Sequence, residues 1–217
     1  MNSVLPAIFE KDFTEIEKKL ERIRPFAKAV HIDLLDGKFI DNVSFLNPEP
    51  FKKYSQDFYF ELHMMVEEPE AYIEKWAENG FKRFVGHIEK MSDQPSFVAR
   101  AQEYGEVGLA LDLKTSGDEI KVQLQDLDML LIMGVNAGYS GQVFDKSCLQ
   151  KVSFFSQQNI VPVEVDGGVN IQSIAQICQS GASRVAVTSA LFAEGEIEEN
   201  FQELESNFNE QAEWGSY

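Results

Sequence analysis

Eight short apolar runs recur along the chain at intervals of 22 to 32 residues, and this rhythm limits the fold more than any other feature. The runs are Ser3–Ile8, Ala29–Leu35, Phe58–Val66, Arg83–Ile88, Val107–Leu113, Met129–Val135, Val161–Val165 and Arg184–Thr188. Each is dense in Val, Ile, Leu, Phe and Met, as strands buried on both faces should be. Most are separated by segments of helical character. Asp12 to Glu15 and Ser116 to Glu119 have capping-box spacing, Pro69 suits a first helical position, and Asn170 suits an N-cap. Gly80, Gly105 and Gly181 stand where helices should stop. The second unit is the weakest, because Asn47–Tyr54 leaves room for only a short helix. Strands alternating with helices imply a parallel sheet. Eight such units in 217 residues favour an α/β fold closed into a (β/α)8 TIM barrel over an open sheet. One domain over 1–217 is expected, with a polar tail from Asn207 to Tyr217 that frays.

Composition narrows the partners. No apolar run approaches the roughly 18 residues of a membrane span. The N-terminus lacks a basic segment followed by an apolar stretch, so a cytoplasmic protein is expected. Cys148 and Cys178 lie far apart without metal-type spacing and read as reduced packing residues. A formal net charge of −17 argues against nucleic acid or an anionic membrane as partner. Any anionic substrate must find a locally favourable site.

In a barrel of this kind the chemistry belongs at the C-terminal ends of the strands. All three histidines of the chain fall there: His31, His63 and His87. His31 and Asp33 are two apart and share a face of the second strand. The third strand gives His63, and Asp166 follows the seventh. Two imidazoles and two carboxylates make a mixed N/O set suited to one divalent ion, Zn²⁺, Fe²⁺, Mn²⁺ or Co²⁺. The competing reading of each histidine is a satisfied core residue bonded to a carboxylate. Three of three at strand ends favours the shared site.

The late loops are rich in glycine. Gly138, Gly141, Gly167 and Gly168, with Thr188 and Ser189, can present backbone N–H groups to a phosphate, and Asn170 opens a helix just beyond the glycine pair. Each glycine alone reads more simply as a tight turn. Their place in three adjacent late loops favours an anion site. A metal flanked by Asp33 and Asp166, with a phosphate anchor nearby, suits proton abstraction beside a ketone. One aspartate removes the proton, an enediolate forms, and the other returns a proton to the opposite face.

At these residues the chain resembles the ribulose-phosphate 3-epimerases. The shared motifs are His31-x-Asp33-x-x-Asp36-Gly37 with Phe39 and Asn42, His63-x-Met65-Val66-Glu67-x-Pro69, His87-x-Glu89, and Met133-x-Val135-Asn136-x-Gly138 with Gly141-Gln142. Glu164-Val165-Asp166-Gly167-Gly168-Val169-Asn170 and Ser189-Ala190-x-Phe192 complete the set. The resemblance implies a ribulose-phosphate-binding barrel and an isomerase that interconverts ribulose 5-phosphate and xylulose 5-phosphate, a reaction of the pentose phosphate pathway. It implies that His31, Asp33, His63 and Asp166 hold one divalent metal and that Asp33 and Asp166 are the acid/base pair. Met65 and Met133 match methionines at the reacting centre. Gly141, Gly167, Gly168 and Ser189 match phosphate-binding positions. Family members are often homo-oligomers.

The chain also departs from the family pattern. Ala7 replaces a serine that contacts substrate, Leu35 replaces a methionine, and Thr188 replaces a glycine. Asn136-Ala137-Gly138-Tyr139-Ser140-Gly141-Gln142 loses a proline and, at Ser140, a glycine. Asp112-Leu113, followed by Lys114, stands where the family has Asn-Pro. These changes touch the substrate-holding set and leave the metal and proton-transfer set whole. An epimerase for another ketose phosphate, such as a ketohexose 6-phosphate, is therefore the second reading, and a sugar-phosphate-binding barrel with little turnover the third. A related decarboxylase would need Asp-x-Lys-x-x-Asp, but Gly117 stands in the last position. His87 and Glu89 read as supporting neighbours rather than ligands, and Asp36 as a brace for the turn at Gly37.

Overall fold

The apolar runs form parallel strands that close on themselves in chain order, β1 to β8. They are β1 Ser3–Ile8, β2 Ala29–Leu35, β3 Tyr59–Met65, β4 Phe81–His87, β5 Glu106–Leu111, β6 Met129–Met133, β7 Val163–Asp166 and β8 Arg184–Val187. The α-helices between and after them are α1 Phe13–Ile23, α2 Ile73–Ala77, α3 Gln94–Gln102, α4 Cys148–Ser156, α5 Ile171–Gln179 and α6 Ile197–Trp214. This is the expected (β/α)8 barrel. The structure, a computed structural model, describes the backbone of residues 3–214 and the side chains of 3–210.

Two units carry no α-helix. After β2 the chain makes only a 3₁₀ turn, Glu49–Tyr54, held by Phe51. That ring packs edge-on against Phe60 and Phe81 at 5.7 and 5.3 Å, and against Trp76 at 5.7 Å. Burying one such ring contributes roughly 1.5–3 kcal/mol, which offsets the missing helix. After β5 the capping box at Ser116 does form, yet it opens one 3₁₀ turn, Gly117–Glu119. Gln94 of α3 explains the arrest. Its amide donates to the Glu119 carbonyl and accepts from Lys121 N–H, taking backbone groups that a helix would use.

Helix α6 extends to Trp214, through the first part of the polar tail that begins at Asn207. Phe208 is fully buried and its carbonyl accepts from Cys178 Sγ at 3.2 Å. Residues 215–217 of that tail lie outside the described residues.

Register positions the chemistry. His31 is level with Glu61, Asp33 with His63, and Met133 with Asp166. Alternate side chains point inward, so the sequence pairs His31/Asp33, Glu61/His63 and Glu164/Asp166 stack in two layers inside the barrel. Leu35, Met65, Val85, Leu131 and Met133 supply apolar neighbours.

Candidate active site

Strands β2, β3 and β7 bring His31, Asp33, His63 and Asp166 together, with one donor atom from each within 4.8 Å of the others. Asp33 Oδ1 is 3.3 Å from His31 Nε2 and 2.9 Å from His63 Nδ1. Asp166 Oδ2 is 4.0 Å from His31 Nε2 and 3.4 Å from His63 Nδ1. Both imidazoles are sealed from solvent, and the two aspartates are nearly so.

The electrostatics follow from the burial. Burial works against a His31 cation, but Asp33, Glu164 and Glu61 overrule it and raise its pKa well above the ordinary value. His63 behaves alike: burial lowers its pKa, Asp166 and Asp33 raise it, and the balance is about 9. Burial would raise Asp33, yet hydrogen bonds from His31 and His63 hold it well below the usual carboxylate range. The carboxylates thus favour positive charge at the ring nitrogens that face them. Two imidazole nitrogens and two carboxylate oxygens, converging at the floor of the barrel mouth, fit one divalent ion.

A second layer lies one step deeper. Glu61 Oε1 accepts from His31 Nδ1 at 2.6 Å, and its other oxygen accepts from Arg83 at 2.6 Å. Arg83 also donates to Glu106 at 2.7 Å. Glu61 thereby holds the His31 proton on Nδ1 and leaves Nε2 facing the aspartates. Glu164 sits in the same layer, 3.4 Å from His31 Nδ1, and among the described residues neither of its oxygens has a partner that meets hydrogen-bond geometry. Burial and the Glu61 charge push Glu164 up to about 7. Sequence reasoning did not find Glu61 or Arg83. The signal was present: Glu61 is two residues before His63, as Glu164 is before Asp166, and period two places each pair on one face.

Above the aspartates opens a cavity of about 510 Å³, counting space continuous with solvent. Asp33 and Asp166 line it; His31 and His63 lie behind them. Met65 and Met133 form part of its wall. The late loops supply much of the remainder, with Gly138, Gly141, Gly167, Gly168, Thr188 and Ser189 all lining it. Gly168 has φ +69°, and a Cβ there would meet the backbone of Phe144 at 2.6 Å. Only glycine lets the β6 and β7 loops pack this closely. Asn170 caps α5, accepting from Gln172 and Ser173 N–H at 2.8 and 3.1 Å.

Two hydrogen bonds span the mouth. Asn42 Nδ2 donates to the Gly138 carbonyl at 2.8 Å, and the Tyr139 hydroxyl donates to the Asp41 carbonyl at 3.2 Å. They tie the loop after β2 to the loop after β6. Asp36 braces its turn as expected, accepting from Lys38, Phe39 and Glu67 N–H. Asp112 is not part of the cavity wall; its Oδ1 accepts from Leu113 and Ala137 N–H.

The sequence pattern of the ribulose-phosphate 3 epimerase family matches residues 3–192. The chain belongs to the ribulose-phosphate 3-epimerase family. It is similar to the ribulose-phosphate 3-epimerase of Schizosaccharomyces pombe, 32% identical over 197 residues, which cover 87% of this chain and 86% of that one. The ribulose-phosphate 3-epimerase of Bacillus subtilis is 28% identical over 214 residues, 94% of this chain and 98% of that one. Among solved structures, 3-keto-L-gulonate-6-phosphate decarboxylase from Vibrio cholerae superposes with a TM-score of 0.72 at 9% identity, covering 97% of this chain and 99% of that one. That likeness shows the barrel alone. Within this epimerase-family chain the departures divide. Leu35, Ser140 and Thr188 line the cavity, whereas Ala7 is fully buried and does not.

Proposed function

We propose that this chain inverts C3 of a ketose phosphate, interconverting ribulose 5-phosphate and xylulose 5-phosphate. One observation carries the reading: Asp33 and Asp166, from strands on different sides of the mouth, line one cavity with both histidines behind them. A single base reaches one face of a carbon, so inversion needs two. Asp33 takes the C3 proton from one face and Asp166 returns a proton to the other, with the roles reversed in the back reaction. An enediolate is the intermediate state of the sugar.

His31 Nε2, His63 Nδ1 and an oxygen from each aspartate are the donors for one divalent ion, Zn, Fe, Mn or Co. Such an ion supplies polarisation of the ketone, which makes the neighbouring C–H more acidic. The chain's own groups do the rest. The buried histidines fix Asp33 by hydrogen bonds. Met65 and Met133 give an apolar wall that limits water at the reacting carbon. Backbone N–H groups of Gly141, Gly167, Gly168 and Ser189, with the start of α5, receive the phosphate. They also give a net-acidic protein a local site for an anion.

A second reading, C3 inversion of a ketohexose 6-phosphate, is favoured by Ser140 and Thr188, whose side chains line the phosphate end of the cavity. The test is deuterium uptake at C3 in D₂O, with metal-reconstituted protein and a series of ketopentose and ketohexose phosphates. Exchange and interconversion are expected to be fastest with ribulose 5-phosphate. Fastest exchange with a ketohexose phosphate selects the second reading. No exchange with any of them sinks both and leaves a binding barrel.

A further inference from the structure

His63 turns Nδ1 toward Asp33 and Asp166, and its other nitrogen faces a third histidine. His63 Nε2 is 3.0 Å from His87 Nε2, with the two rings stacked at 5.0 Å. His87 belongs to β4, two residues beyond Val85, which is level with His63. It is fully buried under Phe39, whose ring lies 4.8 Å away. Two imidazole nitrogens at this distance share one proton: one donates and the other accepts.

The next link decides which. His87 Nδ1 is 2.9 Å from Glu89 Oε2. Glu89 Oε1 accepts the backbone N–H of Asp112 at 2.7 Å, so the carboxylate cannot turn away. An ionised carboxylate only accepts. The neutral His87 ring therefore carries its proton on Nδ1 and offers a lone pair at Nε2. His63 Nε2 must then be the donor, and Nδ1 is the nitrogen left to bind a cation.

We propose that His87 and Glu89 are positioning residues that set the proton order of His63, so that it keeps a proton on Nε2 and presents Nδ1 to the divalent ion. The inference rests on the metal reading above. His31 receives the same service from Glu61 directly; His63 receives it through a second imidazole. A packing role under Phe39 would need the ring of His87 but not the charge of Glu89.

Two glutamine variants separate these. In Glu89→Gln the Asp112 N–H still demands the oxygen, so the amide nitrogen faces His87 Nδ1 and must donate. His87 then carries its proton on Nε2, and His63 can avoid the clash only by moving its own proton to Nδ1, into the ion's position. In His87→Gln an amide oxygen still accepts from His63. Mn²⁺ affinity, measured by calorimetry without substrate, is expected to fall about tenfold to a hundredfold in Glu89→Gln. In His87→Gln it should stay within about threefold of the parent. The ¹⁵N–¹H histidine spectrum of the Zn²⁺-loaded parent should show protons on His63 Nε2 and His87 Nδ1. Unchanged affinity in Glu89→Gln, equal losses in the two variants, or a proton on His63 Nδ1 overturns the inference. If Glu89→Gln does not fold, the spectrum of the parent decides. A parent chain that binds no divalent ion overturns the metal reading itself, a separate result.

Discussion

Strands β2, β3 and β4 run for seven residues each, whereas β6, β7 and β8 run for five, four and four. The early strands carry all three histidines, and each ring is held by a carboxylate or by another ring. The late strands stop short and pass into loops whose glycines at 138, 141, 167 and 168 all have positive φ. One half meets the cavity with side chains, the other with backbone. Side-chain chemistry tolerates a long regular strand, because period two aims it. Backbone chemistry needs the strand to end, since ladder N–H groups are already taken. Asp166, at the last position of β7, is where the two styles meet.

Breaking that meeting point should have the largest effect. Asp166→Asn is expected to lower epimerisation by about four orders of magnitude, the upper range for a proton-transfer group. Deuterium exchange at C3 through Asp33 should survive, and near-normal turnover would remove Asp166 from the base pair. His63→Ala attacks the early half and is expected to weaken divalent-ion binding by at least about a hundredfold. A metal-to-protein ratio equal to the parent's, measured after dialysis, refutes its place among the donors.

Gly168→Ala attacks the late half. Positive φ and the Phe144 backbone together should destabilise by about 2–3 kcal/mol, read from denaturant midpoints. Gly141→Ala is the control: its Cβ meets nothing within 4 Å, and it should lose only about 1 kcal/mol. Equal losses at the two positions would mean that close packing of the loops does not matter.

Glu164→Gln sharpens the comparison, for it is a late-strand side chain that serves the early histidines. A folded pKa raised from 4.5 to about 7 means the native state favours the protonated acid. That contribution is complete below the unfolded value and is lost as pH rises through about 7. The metal-free parent should therefore lose on the order of 1–3 kcal/mol across this window, and the variant should lose less. Parallel melting-temperature profiles from pH 4.5 to 8 would contradict this. The smallest change is expected from Thr188→Gly: KM for ribulose 5-phosphate should move by about tenfold or less, with kcat nearly constant. A large fall in kcat would give Thr188 a role in the chemical step.

The barrel was legible because eight apolar runs with helical spacers leave few alternatives. The cluster was legible because His31 and Asp33 share a strand face, and strand ends at one rim converge. Three things were not. The missing helix after β5 depends on Gln94, whose capture of Glu119 and Lys121 acts 25 and 27 residues away. The bonds across the mouth join residues 96 and 98 positions apart, which no local pattern encodes. Ala7 read as the loss of a substrate-contacting hydroxyl from its place in a motif, yet the residue is fully buried and does not line the cavity. The tail carries a signal of its own. Phe201, Leu204 and Phe208 lie three and four residues apart, a helical stripe in an otherwise polar segment.

Glu164 has one more consequence. With its pKa raised by burial, Glu164 favours the uncharged acid in the layer where Glu61 faces Arg83 and His31. His31 and His63 must each give up a proton before Nε2 and Nδ1 can take a metal. On the proposed metal reading, two protons would leave as one doubly charged ion arrived, and the interior charge would not change. Metal uptake is expected to release close to two protons without asking the strands to move, which makes the site fillable after folding is finished.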